Sequence, residues 1–408
     1  MHTTKTGSMS SRERLLAAIN HREPDRVPIC FRDVAPLENR WRNPFERVLS
    51  LRELGVDDKL FLHPPETFSG YTSGEQSLYS RYGSALWPFH PDVTIREWED
   101  TGIDYRYPIL FKEIQTPVGS MRVAARKTHD WQVSTLPLVS DHLWSRGIEF
   151  PIKGPEDLDK MRFLLYDPFK SDLTAFRERA AAIGNFAAKH DVLVEGDVNA
   201  ASNIALSFRG PINLMCDAVD NPGFLEEMLD IILDWNLKRL ALILDAGVDT
   251  VYHTGCYETT AFWSPDMYRR FFFPVLKRKL EMIHEAGAKM HYYMDIGVMP
   301  LIGVFKELGI DILSTVDPPP HGDSDIAALK REAGDTICLW GGVDAPHTIE
   351  QGTPGDVRDA VRKAISIAAP GGGFVLSTAD SIQNPDAYDN VMAFIESGLE
   401  FGKYPISL

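Results

Sequence analysis

Ionisable and sulfur-bearing side chains gather just after short apolar runs in this 408-residue chain. Glu195, Asp197 and Asn199 follow one run, and His253, Cys256 and Glu258 follow the next. His291 and Asp295 follow a third. Ser314, Thr315 and Asp317 close another, then Gly341, Gly342 and Asp344, and finally Thr378 with Asp380. Carboxylates and imidazoles brought together in this way serve general acid–base chemistry. A nitrogen, sulfur and oxygen set such as His253, Cys256, His291 and Asp380 is also of the type that builds an open catalytic zinc site. The structural alternative is plain: Asp and Ser are preferred helix caps, and barrel histidines are often hydrogen-bonded core residues. Cys256 has no basic neighbour in sequence to depress its pKa, so a nucleophilic thiol is disfavoured. Gly371–Gly373 either presents amides to an anion or forms a flexible turn, and both readings stay open.

The elements that must position these residues alternate. Leu15, Ala18 and Ile19 give a short amphipathic helix over 11–20, followed by the apolar run Val27–Phe31 and a weaker strand at Leu60–His63. From about 172 a helix, a strand at 191–196, further helices to Asp245 and strands at 249–253, 288–292, 310–314, 336–340 and 373–377 succeed one another, with helices between them. Ser264-Pro265-Asp266 has the form of a helix start, and Pro274 interrupts or kinks the helix that begins there. Eight strand candidates, six in strict alternation, predict a parallel sheet covered on both faces and closed into a (β/α)8 barrel. No GxGxxG follows the first strand, which removes the support for a dinucleotide fold. Residues 64–167 differ from the rest in being rich in Gly, Pro and aromatics. They read as an insertion after the second strand, with β pieces at 94–99, 111–116 and 121–124, a turn at 117–119 and a lid role. Tyr71, Tyr82, Trp87, Trp98, Trp131 and Trp144 are available there to line a pocket, although packing accounts for most such residues. The chain is expected to be one domain, with the active residues at the carboxyl ends of the strands.

Composition bounds the partners. The chain is 44% hydrophobic and carries a net charge of −16, with a pI near 5.2 and a mean hydropathy of −0.18. Such a field repels nucleic acid and anionic lipid, leaving a small-molecule substrate as the expected partner; homo-oligomerisation stays open. Four scattered cysteines form no CxxC pair, and residues 1–11 lack the apolar core of a signal peptide, so a cytoplasmic setting is expected.

Several stretches carry a resemblance. Arg12–Pro28 (RERLLAAINHREPDRVP), Thr116–Gly119 (TPVG), Phe150–Leu158 (FPIKGPEDL) and Ser264–Tyr268 (SPDMY) resemble uroporphyrinogen decarboxylase-like proteins. So do Gly334–Asp344 (GDTICLWGGVD), Gly352–Pro354 (GTP) and Ala369–Phe374 (APGGGF). The resemblance runs in order along almost the whole chain and implies a (β/α)8 barrel. Decarboxylases of that superfamily carry an arginine-rich segment after the first strand to pair with substrate carboxylates. Here that place reads Cys30–Pro36 (CFRDVAP), with Arg32 alone. The other branch comprises corrinoid-linked methyltransferases, whose thiol-activating members bind zinc through His-x-Cys and a later Cys. This chain has His291–Tyr293 (HYY) and Thr378–Asp380 (TAD) at those places, so the histidine remains and both thiolates are gone.

The resemblance therefore implies a corrinoid-linked methyltransferase that does not activate a thiol. Its acceptor would be tetrahydrofolate, whose nitrogen is served by an acid rather than zinc, or its donor a methoxylated aromatic cleaved with help from an acid. A corrinoid, on a carrier protein or free, is the implied cofactor, and zinc is left open. His291 is the expected proton-transfer residue or residual metal ligand, with Glu258 and Asp380 as partners. His253 and Tyr292 would orient the substrate, and Glu195, Asp197 and Asp344 would complete its binding site. The alternative is a decarboxylase of a small acidic substrate. There Arg32 would hold a carboxylate, and Asp197 or Glu195 would stabilise a protonated intermediate. A non-catalytic scaffold is a third class, against which the strand-end cluster argues.

Overall fold

The computed structural model describes residues 9–65, 89–102, 106–131, 135–170, 173–198 and 200–407. The chain is a mixed α/β fold built on a curled parallel sheet. Its strands are β1 (Lys59–Leu62), β6 (Leu193–Asp197), β7 (Thr250–Thr254), β8 (Lys289–Tyr293), β9 (Ile312–Val316), β10 (Cys338–Val343) and β11 (Phe374–Thr378), side by side in that order. Each neighbouring pair is parallel. The expected first strand, Val27–Phe31, is not a ladder strand in its own right. Its backbone nevertheless spans the open side: Cys30 N–H donates to Leu376 of β11, Leu376 N–H donates to Pro28, and Asp57 N–H, just ahead of β1, donates to Ile29.

Between β1 and β6 lies a separate antiparallel sheet of four strands, β2 (Thr94–Asp100), β3 (Ile109–Thr116), β4 (Gly119–Arg126) and β5 (Gly147–Glu149). The three β pieces expected in the 64–167 region are present, with the β3–β4 turn at Pro117–Val118. The short β5 was not foreseen. Tyr71, Tyr82 and Trp87 lie outside the described residues. The expected break near Pro274 falls at Phe272, between helices Pro265–Phe271 and Phe273–Glu285, because proline cannot donate into the preceding turn.

Two cores follow from the period-two alternation of the strands. Leu60, Leu62, Val194, Val251, Met290, Tyr292, Leu313 and Leu376 face outward into the large core under the helices. Leu193, Ile312, Cys338, Trp340 and Val375 face inward, with Cys30, and pack on Leu15, Ala18 and Ile19 of the helix Ser11–Ile19. That helix is started by a capping box, Ser10 with Glu13, and plugs the inner face below the carboxyl ends of the strands.

Candidate active site

At mid-depth on the inner face, four charged or polar residues from four strands meet. Lys59 of β1 lies 2.5 Å from Glu195 Oε2, His291 Nδ1 is 2.7 Å from Glu195 Oε1, and Thr250 Oγ1 donates to Glu195 Oε1 at 2.9 Å. Burial alone would raise the Glu195 carboxyl, but the Lys59 ammonium and His291 override it and hold it down to about 2. An ionised carboxylate accepts only, so the His291 proton sits on Nδ1. Burial, opposed by Glu195, keeps the His291 pKa below its ordinary value. The ring is therefore neutral, and its Nε2, a buried lone pair, has no partner. Trp340 lies tilted against the imidazole at 4.8 Å and Tyr252 meets it edge-on at 5.0 Å. Lys59 lies 4.6 Å from the Trp340 ring centre.

Above this layer the strand ends form an acidic mouth. Arg32 reaches Asp380 at 3.3 Å and lies over the Tyr293 ring at 4.5 Å, its backbone carbonyl held by Arg47. His63 is 3.3 Å from Asp197. Beyond β9, His321 Nδ1 bonds Asp317 Oδ2 at 2.5 Å. After β10, Asp344 caps the short helical turn Ala345–Ile349 through the N–H groups of His347 and Thr348, and its other oxygen is 3.3 Å from His347 Nδ1. The ladder slips between Trp340 and Gly341, skipping Thr315. Thr315 holds a φ of +62°, a conformation seldom tolerated by a β-branched residue, and it re-aims the chain into Asp317. Burial lifts Asp317, against the pull of His321, to about 6, and lifts Asp295 as well.

Unpartnered buried atoms concentrate here: Asp197 Oδ1, Tyr252 OH, His291 Nε2, Asp295 Oδ1 and Asp317 Oδ1. Buried polar groups are normally satisfied, so such a concentration on one inner surface marks a place that a substrate, ion or water completes.

Three expected site residues are elsewhere. His253 and Tyr292 point to the outer face, behind the sheet. His253 Nε2 is 3.2 Å from Glu258 Oε2, Tyr292 donates to the same oxygen at 2.7 Å, and Ser202 donates to Glu258 Oε1. Tyr268 completes the chain at 3.0 Å from Tyr292. Lys279 of the helix Phe273–Glu285 stands 3.5 Å from His253 Nδ1, its own pKa brought down to about 8 by burial. All of these are buried. The network cross-links sheet and helices, and neither Glu258, His253 nor Tyr292 shares a surface with His291. Tyr293, one residue on, is the inward tyrosine.

The metal set read from the sequence is corrected for the same reason. His253 and His291 lie on opposite faces, and His253, Cys256, His291 and Asp380 do not bring their donor atoms together. Nor do the residues fit the zinc that the resemblance implies around His291, Tyr293 and Asp380. Both thiolates are missing, and the Arg32 cation occupies the space between Tyr293 and Asp380. Asn199 lies outside the described residues. Sequence reading missed Lys59, Tyr252, Trp340, Tyr293, His321 and His347. A lysine opening a buried strand, and an Asp-x-x-x-His pair after one, were the available signals.

No curated protein matches the chain. Among solved structures, a methyltransferase from Methanosarcina mazei is 18% identical, with 97% of this chain and 99% of that chain covered and a TM-score of 0.61. This likeness shows a shared fold over essentially the full length. A B12-independent methionine synthase from Shewanella sp. W3-18-1 is 14% identical over 57% of this chain and 66% of its own, with a TM-score of 0.41. The family model described as uroporphyrinogen decarboxylase (URO-D) matches residues 148–401, more than half of the chain and every strand from β6 to β11. The chain belongs to the uroporphyrinogen decarboxylase (URO-D) family.

Proposed function

We propose that the chain is a methyltransferase of this family, moving a methyl group between a small donor, a corrinoid and a non-thiol acceptor such as tetrahydrofolate. In this reading residues 28–31 act as the eighth strand of a (β/α)8 barrel, and the reaction takes place at its carboxyl-end mouth. The observation that carries the reading is the mouth's charge and donor set. Arg32 is already bound to Asp380 and stands close to Asp295, while Asp317 lies near Asp344 and Asp295. A substrate bearing many carboxylates needs several free cations, and a thiol acceptor needs an activating thiolate-bound zinc. The inner cysteines, Cys30 and Cys338, are fully buried at the plugged end, where burial pushes both thiols up. The full-length structural counterpart described as a methyltransferase agrees with this choice.

A corrinoid, when bound, would supply the cobalt that carries the methyl group, and this chain's residues would manage the other reactant. Phe61, Tyr252, Tyr293 and Trp340 form flat aromatic walls suited to an aromatic or pteridine ring. Arg32 is the anchor for one anionic substituent. A secondary amine that gains a methyl group loses its proton, and the neutral His291, oriented by Glu195, accepts that proton at Nε2. In the reverse direction the protonated ring returns it to the leaving nitrogen or oxygen, which keeps the bonding electron pair.

The test uses an isotopically labelled methoxylated aromatic with cob(I)alamin, under anaerobic conditions. Label should pass to the corrinoid, and His291→Gln, whose amide N–H can still donate to Glu195, should lower the rate by about 10²–10⁴-fold in protein that remains folded. Release of CO2 from carboxylated substrates, with no movement of label, would replace the methyl-transfer reading with decarboxylation.

A further inference from the structure

We infer that Asp317, His321 and Asp344 hold a divalent transition-metal ion of the zinc class at the carboxyl ends of β9 and β10. Each offers one donor atom, and the three atoms lie within 4.8 Å of one another. Ligand atoms around a tetrahedral ion with bonds of about 2.0–2.2 Å stand roughly 3.4 Å apart, so small side-chain rotations close the site. Asp317 and Asp344 side chains are each only 2% exposed, whereas His321 is 41% exposed. The buried Asp317 Oδ1 has no hydrogen-bond partner. Two buried carboxylates this close repel one another, and a dication relieves both the repulsion and the unpaired oxygen.

The donors are nitrogen and oxygen without sulfur, which suits zinc, cobalt(II) or manganese rather than copper(I). Three protein ligands leave a fourth position open toward the mouth, the arrangement of a catalytic rather than structural site. His347, 3.3 Å from Asp344 Oδ2, orients that carboxylate from outside the ligand set. The site is distinct from the four residues read off the sequence. It rests on the methyl-transfer reading only for its role, a Lewis acid at the same mouth in which that reading places the reaction.

The test reads metal occupancy rather than turnover, so the site and the activity can fail separately. Chelator-treated full-length protein is titrated with zinc(II) by calorimetry and with cobalt(II) by absorption. One equivalent should bind, with visible d–d bands and no near-ultraviolet thiolate charge-transfer band. His321→Ala and Asp344→Asn each remove a direct ligand and should weaken binding by more than the about 10- to 100-fold that loss of an outer partner such as His347 costs, and Cys256→Ala should leave it unchanged. His321 is exposed enough for its variant to fold, and it decides the matter if Asp344→Asn does not. Absence of saturable binding, a thiolate band, or binding indifferent to His321→Ala would overturn the assignment.

Discussion

Glu195 is the residue on which the inner face turns, because it fixes both the Lys59 cation and the His291 tautomer. Removing one member of a buried ion pair strands the other. Lys59→Met is therefore expected to cost about 3–5 kcal/mol in urea unfolding. The pH dependence has a definite sign. The folded Glu195 carboxyl, at about 2, is below its ordinary 4.5. Its contribution is complete above about 4.5 and is lost as pH falls through 2. The midpoint of unfolding should drop over that window in the wild type and drop less in Lys59→Met. Much of this is legible in the sequence. Glu195, His291, Asp317, Asp344 and Asp380 all stand out as ionisable residues at strand ends. Lys59 does not, since a lysine in a weak strand reads as solvated until its ladder partner is known.

At the scale of elements, the strands were legible and their faces were not. A parallel sheet covered on both sides is apolar on both sides, so alternation does not announce which face is the inner one. His253 and His291 sit in strands of similar character, yet one faces the helices and the other the inner face of the curled sheet. Register resolves them: His253 pairs with Tyr292, and His291 with Tyr252. Glu258, in the loop after β7, folds back beneath the helices, where Tyr292 and Ser202 satisfy it. Tight sheet–helix packing makes a direct prediction. A Cβ on Gly196 of β6 would fall 2.1 Å from Ile243 Cγ2 of the helix Pro222–Asp245. Gly196→Ala should destabilise the protein by about 1–3 kcal/mol, read from the denaturation midpoint.

For the whole molecule, the inner face is sealed at one end by the helix Ser11–Ile19, and the acidic strand ends lie at the other. Leu15 is fully buried against the inward side chains. Leu15→Ala should therefore cost about 2–5 kcal/mol in urea unfolding, although it lies far from the mouth. Among the described residues no helix is long and apolar enough to cross a membrane, in keeping with the acidic surface implied by a net charge of −16. The family and the alternating core of the fold were legible because local patterning and sequence motifs agree along the chain. Residues 27–31 read as a full strand, whereas the structure joins them to β11 and to Asp57 by three backbone hydrogen bonds without a ladder, a distinction that an apolar run does not encode. Methyl transfer without thiol activation is tested most directly by an anaerobic acceptor comparison. Purified protein is mixed with methylcobalamin and either tetrahydrofolate or a small thiol, and the corrinoid absorbance is followed. Protein-dependent loss of the methyl–cobalt species with tetrahydrofolate, and not with the thiol, is the expected result; turnover with the thiol and none with tetrahydrofolate would contradict it.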